Sequence, residues 1–328
     1  MICRRRQFLY LVLHLAAGAA ALSARVRIAW AQPYPSRPVR IVVGFAPGIN
    51  PDIIARLIAQ PLSERLGQQI IVENRPGAGS TIGTEAVVRA PADGYTLLAV
   101  TSTNTVNSTL YDKLTFDFIR DIAPIAGTVR LPSVMAVTPS LPVKTVPEFI
   151  AYAKANPHKL TMASPGVGSA AHVMGELFRA MTEIDILHVP YRNTYFPDLL
   201  SGLVHVVFIP TASVLEYVRG EKLRALAVTG ARRSEVLPDV STVGEFVPGS
   251  EAYVWDGIGA PRGTPAEIIS RLNGAINASL ADPDMQARFA ALGAEPMIMT
   301  PAAGFGKFVA DETDKWGKVI RAANMKSE

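Results

Sequence analysis

The sequence predicts an α/β protein of two domains with largely parallel sheets. Strand-length apolar runs alternate with helical patterns along the chain, the order that builds parallel sheets joined by helices. The chain has 328 residues, of which 49% are apolar, enough to fill two cores.

The pattern is clearest at 40–66, RIVVGFAPGINPDIIARLIAQPLSERL. Residues 40–45 form the apolar run of a strand covered on both faces. Pro47 and Gly48 break it. Asn50 fits the N-cap of a helix, with Pro51 at its first position and Asp52 in its first turn. Ile54, Leu57, Ile58, Leu62 and Leu66 mark one helical face, Pro61 predicts a kink, and Gly67 closes the helix. Such a unit sets backbone N–H groups and a positive helix end just beyond a strand's carboxyl edge, a site for a carboxylate. The same pattern also suits a βα unit that binds nothing.

Before this unit, residues 1–31 read as an export signal outside the fold. Arg4, Arg5 and Arg6 give a basic start, 8–24 an apolar stretch, and Ala29-Trp30-Ala31 a cleavage signal, with Leu22-Ser23-Ala24 an earlier candidate. Arg5-Arg6-Gln7-Phe8-Leu9 resembles a twin-arginine motif. A permanent anchor fits less well, because Arg25 and Arg27 interrupt the run. The net charge of +4 comes from this segment: its five arginines and no acidic residue leave 27 basic against 28 acidic side chains beyond it. No basic patch argues for nucleic acid. The one cysteine, Cys3, leaves with the signal, so the processed chain has neither a disulfide nor thiol chemistry.

Further along, 70–73 and 95–100 read as strands, with a loop at 74–80 and a helix near 83–89 between them. Residues 102–110 carry turn chemistry. Strands at 122–129 and 134–137 are separated by Leu131-Pro132-Ser133, where the first interdomain crossing falls. Thr145 caps a helix ending near Asn156. Residues 160–163 form a strand, Ser164-Pro165-Gly166-Val167-Gly168-Ser169 a tight loop, and 170–181 a helix. This second strand–glycine loop–helix unit repeats the geometry of 40–66 in the other domain. Strands follow at 184–189, 205–208 and 223–228, with helices near 198–203 and before Gly220, and 252–260 crosses back. Thr264-Pro265-Ala266-Glu267 reads as a capping box, and Asp282-Pro283 and Thr300-Pro301 start two more helices, which pack on domain one.

Enzyme and cofactor signatures are missing. Gly77, Gly79 and Gly83 follow a strand, but the dinucleotide fingerprint needs glycine at Ile82. There is no phosphate-binding GxxxxGK[ST] loop and no Gly-x-Ser-x-Gly elbow. His158, His172, His188 and His205 are not spaced as a metal pair, and no cofactor or metal is expected. His188 and His205 read as structural; His172, one turn into the second helix, suits either capping or support of a ligand. Trp255 and Asp256 at the return crossing either line the cleft or fill the hinge, and the hinge is the expectation.

YPSRPVRIVVGFAPGINPDIIAR, VENRPGAGSTIGTEAVVRAPADGYTLL, LHVPYR and GEKLRALAVTGARR resemble the Bug or TctC-type family, the periplasmic binding proteins of tripartite tricarboxylate transporters. The resemblance runs from about Tyr34 to Ala323. It implies a fold of the type II periplasmic-binding-protein kind, two α/β lobes closing on an organic acid in the cleft. Residues 32–131 and 253–328 form lobe 1 and 132–252 lobe 2. It places the ligand carboxylate between the first loop, Ala46, Pro47, Gly48, Ile49, Asn50 and Asp52, and the second, Ser164, Val167, Gly168 and Ser169, with His172 following. Thr101, Ser102 and Asn104 form another wall, and Tyr191, Phe208 and Ile209 the far side. The implied protein is a periplasmic monomer serving a membrane permease. A sensor that docks a membrane receptor is a second reading; an α/β enzyme acting on an organic acid is a third, without a nucleophile–base pair to support it.

Three departures from the family pattern bear on the ligand. Ile49, Asn50 and Pro51 stand where a second glycine, Ser and Thr are usual, so the turn is reshaped or Ile49 enters the pocket. The segment after Tyr191 is shorter and holds Tyr195, Phe196 and Pro197, and Ile209 replaces a polar residue. Together they predict a carboxylate with an apolar or aromatic body rather than a citrate-like tricarboxylate.

Overall fold

A computed structural model describes residues 34–111, 113–191 and 194–326; the export-signal reading of 1–31 lies outside them. Residues 37–328 form one unit, distinct from 1–36, and carry every element below. β1 (Val39–Val43) leads through the first loop to α1 (Asn50–Leu66), which runs past Pro61 and ends at Gly67 in the left-handed region, φ 70°. β2 (Ile70–Asn74), a 3-10 turn at Ala78–Ser80, α2 (Thr81–Val88) and β3 (Thr96–Thr101) follow. Residues 102–110 are not a turn but a helix, α3 (Ser102–Leu110). Asn104 Oδ1 accepts from the Thr101 N–H at 2.8 Å, one half of a capping box, and the polar run hid the inward pair Val106 and Leu110.

After α4 (Phe118–Asp121) come β4 (Ile122–Val137), α5 (Val146–Ala155), β5 (Leu160–Ser164), α6 (Ala170–Thr182) and β6 (Ile186–Pro190). α7 (Phe196–Ser201), β7 (Val206–Pro210), α8 (Thr211–Arg219), β8 (Arg224–Val228) and a 3-10 turn at Val243–Glu245 precede β9 (Tyr253–Pro261). The chain ends with α9 (Ala266–Leu280), α10 (Pro283–Ala291), β10 (Glu295–Pro296) and α11 (Ala302–Ala322). Thr145 and Asp282 cap α5 and α10 as expected, accepting from the N–H groups of Glu148 and Asp284. Thr264 does not cap α9: its hydroxyl turns back to the Pro261 carbonyl, and Pro265 takes the cap position.

The sheet runs β2-β1-β3-β9-β4-β7-β5-β6, with β8 and β10 also on β4. The expected break at 131–133 is absent, and β4 is one strand of 16 residues. Up to Pro132 it pairs antiparallel with β9, and from Ser133 it pairs antiparallel with β7, so the crossing is a change of partners inside one strand. Pro132 sits opposite Tyr253, the first residue of β9, where a ladder ends and a missing N–H costs little.

The buried side chains sort to the two ends of β4. Val42, Leu98, Val100, Phe118, Ile122, Trp255 and Phe305 pack at one end. Met135, Phe149, Met162, Phe178, Val206 and Phe208 pack at the other. α11 does not stay with the first end. Phe305 and Val309 join the first cluster, while Trp316, Val319 and Ile320 join the second, together with Val106 and Leu110 of α3.

Candidate functional site

Register fixes where the strand ends lie. β1, β2 and β3 run parallel, and the last residue of β3, Thr101, is level with Asp256 of β9, which is level with Val129 of β4. At the other end β5 and β7 run parallel, and Pro210 at the close of β7 is level with Ser133 of β4. The carboxyl ends of both parallel sets therefore point at the middle of β4, between Val129 and Ser133, from opposite sides. The first loop leaves β1 there and the second leaves β5 there.

In the first loop Ala46, Pro47, Gly48 and Ile49 are exposed. Gly48 takes the left-handed conformation, φ +83°, so Ile49 need not: it is extended at φ −94°, ψ 166°, and serves as the N-cap position in place of the expected Asn50. Asn50 is the first helical residue. Its side-chain amide donates to Asp256 Oδ2 at 2.9 Å rather than to its own helix. Asp52 is only 2% exposed and binds its own chain. It accepts from the Gly48 N–H at 2.8 Å, from Arg56 Nε at 3.0 Å and from Asn74 Nδ2 at 2.8 Å. Burial opposes its charge, yet the bonds from Arg56, Gly48 and Asn74 hold its carboxyl below the ordinary range. Asp52 thus shapes the loop, and its position beside a helix N-terminus is the favourable one for an acid.

The second loop is built on two glycines, φ +135° at Gly166 and +77° at Gly168. Ser169 caps α6, accepting from the His172 N–H at 3.3 Å. His172 Nδ1 accepts from the Gly168 N–H at 3.2 Å, and its ring stacks on His188 with centroids 3.5 Å apart. His188 Nε2 lies 2.6 Å from the hydroxyl of Ser164. Burial holds His172 down to about 3, with His188 and Arg179 adding to the effect, and holds His188 down to about 4, so both rings are neutral near pH 7. The ring nitrogen of His172 thus fastens the Gly168 turn of the second loop. Val167 is half-buried against the second core cluster.

Of the remaining wall, Thr101, Ser102 and Asn104 are buried, and Asn104 Nδ2 donates to Thr84 Oγ1 at 2.9 Å. Tyr191 is half-buried, its hydroxyl donating to Asp198 Oδ2 at 2.6 Å. Phe208 and Ile209 both go inward, Phe208 onto Phe178 with ring centroids 5.7 Å apart and Ile209 into a cluster with Tyr195 and Leu199. Tyr195 is buried and Phe196 stacks on Tyr217 at 4.9 Å, so the added aromatic bulk after Tyr191 feeds the core.

Three residues outside the expected set complete the geometry. Asn74 ties β2 to the first loop through Asp52 and the Phe45 carbonyl, and its signal was an amide ending an apolar strand. His188 carries the second loop through Ser164 and had no signal of its own. Asp256, 3% exposed, faces Asn50 rather than merely filling a hinge. Among the described residues no group of three or more His, Cys, Asp or Glu is placed to hold a metal, and no helix is long and apolar enough to cross a membrane.

A family profile described as "Tripartite tricarboxylate transporter family receptor" matches residues 54–325. The chain is 37% identical to Protein BugT of Bordetella pertussis over 301 residues, covering 90% of this chain and 92% of that one. The solved structure titled "R. palustris Rpa4515 with adipate" superposes with TM-score 0.78 at 35% identity, over 89% of this chain and 99% of that one. A second, MatC from Rhodopseudomonas palustris with bound malate, superposes with TM-score 0.74 at 30% identity, over 88% and 100%. Fold and sequence agree, and the chain belongs to the tripartite tricarboxylate transporter receptor family, a family of periplasmic solute-binding proteins.

Proposed function

We propose that this protein captures a small carboxylate between the first loop and the second, in a cleft between lobes 32–131 with 253–328 and 132–252, and delivers it as a periplasmic monomer to a membrane permease. The observation that carries the reading is the convergence of two strand–glycine loop–helix units on the middle of β4. Each ends in a helix start able to hold an anion, worth about 0.3–1 kcal/mol from the dipole, to which charge-assisted backbone hydrogen bonds add. Contacts from both lobes give the closed form the higher affinity that closure requires. Relatives in this family have been solved with adipate and with malate.

The ligand in this reading has a carboxylate at one end and an apolar body. Ile49 supports it, since that side chain stays exposed beside Asn50 while Tyr195 and Ile209 turn into the core. A thermal-shift screen of the purified protein against adipate, malate, citrate and benzoate tests it. An acid at 100 times its Kd stabilises the fold by ~2.7 kcal/mol. A shift with adipate or benzoate supports the apolar body; a shift with citrate alone removes it, and no shift with any acid removes the binding reading.

A further inference from the structure

Asp256 is a buried ionisable group with a single partner among the described residues. It is 3% exposed, its Oδ2 accepts only from Asn50, and its Oδ1 is buried with no partner. Asn50 from α1 bonds it, Thr101 on β3 and Val129 on β4 are level with it, and of α2 and α3, which also pack on β9, the one charged side chain, Glu85, is held by Arg89 and Thr115. The nearest acid along α1, Asp52, is committed to Arg56, Asn74 and the Gly48 N–H. On its own strand, Trp255 points away to Glu312 of α11. Nothing in this shell neutralises a carboxylate, and a buried carboxylate without a cation or a full set of donors is costly.

From this juxtaposition we propose that Asp256 is a positioning residue for the ligand loop, holding Asn50 at the head of α1, and that its ionisation weakens carboxylate binding. The proposal rests on the carboxylate-binding reading above. Two effects act in the same direction. An ionised Asp256 leaves Oδ1 charged in the core without a donor, a cost that favours an opened first loop over the closed, ligand-holding one. It also places a negative charge one side chain from the helix start that receives the ligand's own negative charge. Burial pushes this carboxyl up to about 7, against the smaller opposing effect of Asn50, so the ionisation falls near neutral pH. Linkage then requires the converse: ligand binding raises the proton affinity of Asp256, and binding above pH 7 takes up a proton.

The test measures adipate, malate and benzoate affinity from pH 5.5 to 8.5 for the wild type and for Asp256→Asn, which keeps an oxygen acceptor for Asn50 and cannot ionise. Wild-type affinity is expected to fall above neutral pH, by at most about tenfold per pH unit. Asp256→Asn is expected to show no such dependence. Calorimetry of the wild type alone, in buffers of differing ionisation enthalpy at pH 7.5, is expected to show proton uptake on binding. That arm stands even if the variant fails to fold. Binding with the same pH profile in variant and wild type, or without proton uptake, overturns the role of Asp256 and leaves the binding reading intact. No binding of any acid at any pH overturns the binding reading and the role with it.

Discussion

Gly168 of the second loop and Leu110 of α3 meet with no space for a methyl group: a β-carbon on Gly168 would lie 2.2 Å from Leu110 Cδ2. α3 follows β3, so this contact joins an element from one end of β4 to a loop from the other. Gly168 also holds φ +77°, which only glycine adopts freely.

Gly168→Ala is therefore expected to lose stability twice over, by about 1–2 kcal/mol for the backbone and about 1–3 kcal/mol for overpacking. Against a Leu110→Ala background, which itself loses core packing, Gly168→Ala should keep the first cost and lose the second. Urea unfolding of the single and double variants checks this. A single variant as stable as the wild type would show that the loop does not press on α3.

Asp52→Ala is expected to cost about 1–3 kcal/mol, because the Gly48 N–H and Asn74 lose a buried acceptor and Arg56 loses its partner. The pH dependence has a definite sign. The folded-state value is lowered, so the stabilisation is present above the unfolded carboxylate range near 3.8 and is lost as pH falls through the folded value. Thermal unfolding from pH 7 downward should therefore show a gap between variant and wild type that narrows only once the pH has fallen below the ordinary carboxylate range.

The stacked histidines predict acid sensitivity. Both are held neutral in the fold, to about 3 for His172 and about 4 for His188, against 6.5 in the unfolded chain. Below pH 6.5 the unfolded state gains protons that the folded state refuses, so stability drops as pH falls toward 4. Each ring contributes a slope of at most about 1.4 kcal/mol per pH unit. His188→Gln should flatten the wild-type decline in melting temperature between pH 6.5 and 4.5. An equally steep decline in the variant would exclude His188 as a source.

The element types were legible where one local signal ruled. The run 40–45 and the stop at Gly67 read as strand and helix end because apolar spacing and glycine act within a few residues. The helix at 102–110 was not legible, since Ser, Thr and Asn favour turns and only the contacts of Val106 and Leu110 with the second core outweigh that. The continuity of β4 was hidden by Pro132, which reads as a break and is tolerated because β9 starts opposite it. At the site the two glycine loops could be read, whereas the cap expected at Asn50 could not, because a left-handed Gly48 lets Ile49 take that position. The partners of Asn50, Ser164 and Trp255 could not, because each lies at a sequence distance that only the fold closes.

Glu312 makes the strongest case for coupling between the two ends of the molecule. Its Oε2 accepts from the indole of Trp255 at 3.2 Å and from the indole of Trp316 at 2.9 Å. Trp255 belongs to the core cluster around Phe305, and Trp316 to the cluster around Phe149, so one carboxylate oxygen spans both. Lys315 beside it donates to the Glu251 carbonyl, just before β9. Glu312→Leu leaves two largely buried N–H groups without an acceptor, at about 1–3 kcal/mol each. Glu312→Gln keeps a neutral oxygen in place and should cost less than half as much. If α11 governs how the two ends move, Glu312→Leu should also weaken carboxylate affinity, although it touches neither loop. Equal affinity in a destabilised variant would confine Glu312 to holding the fold together.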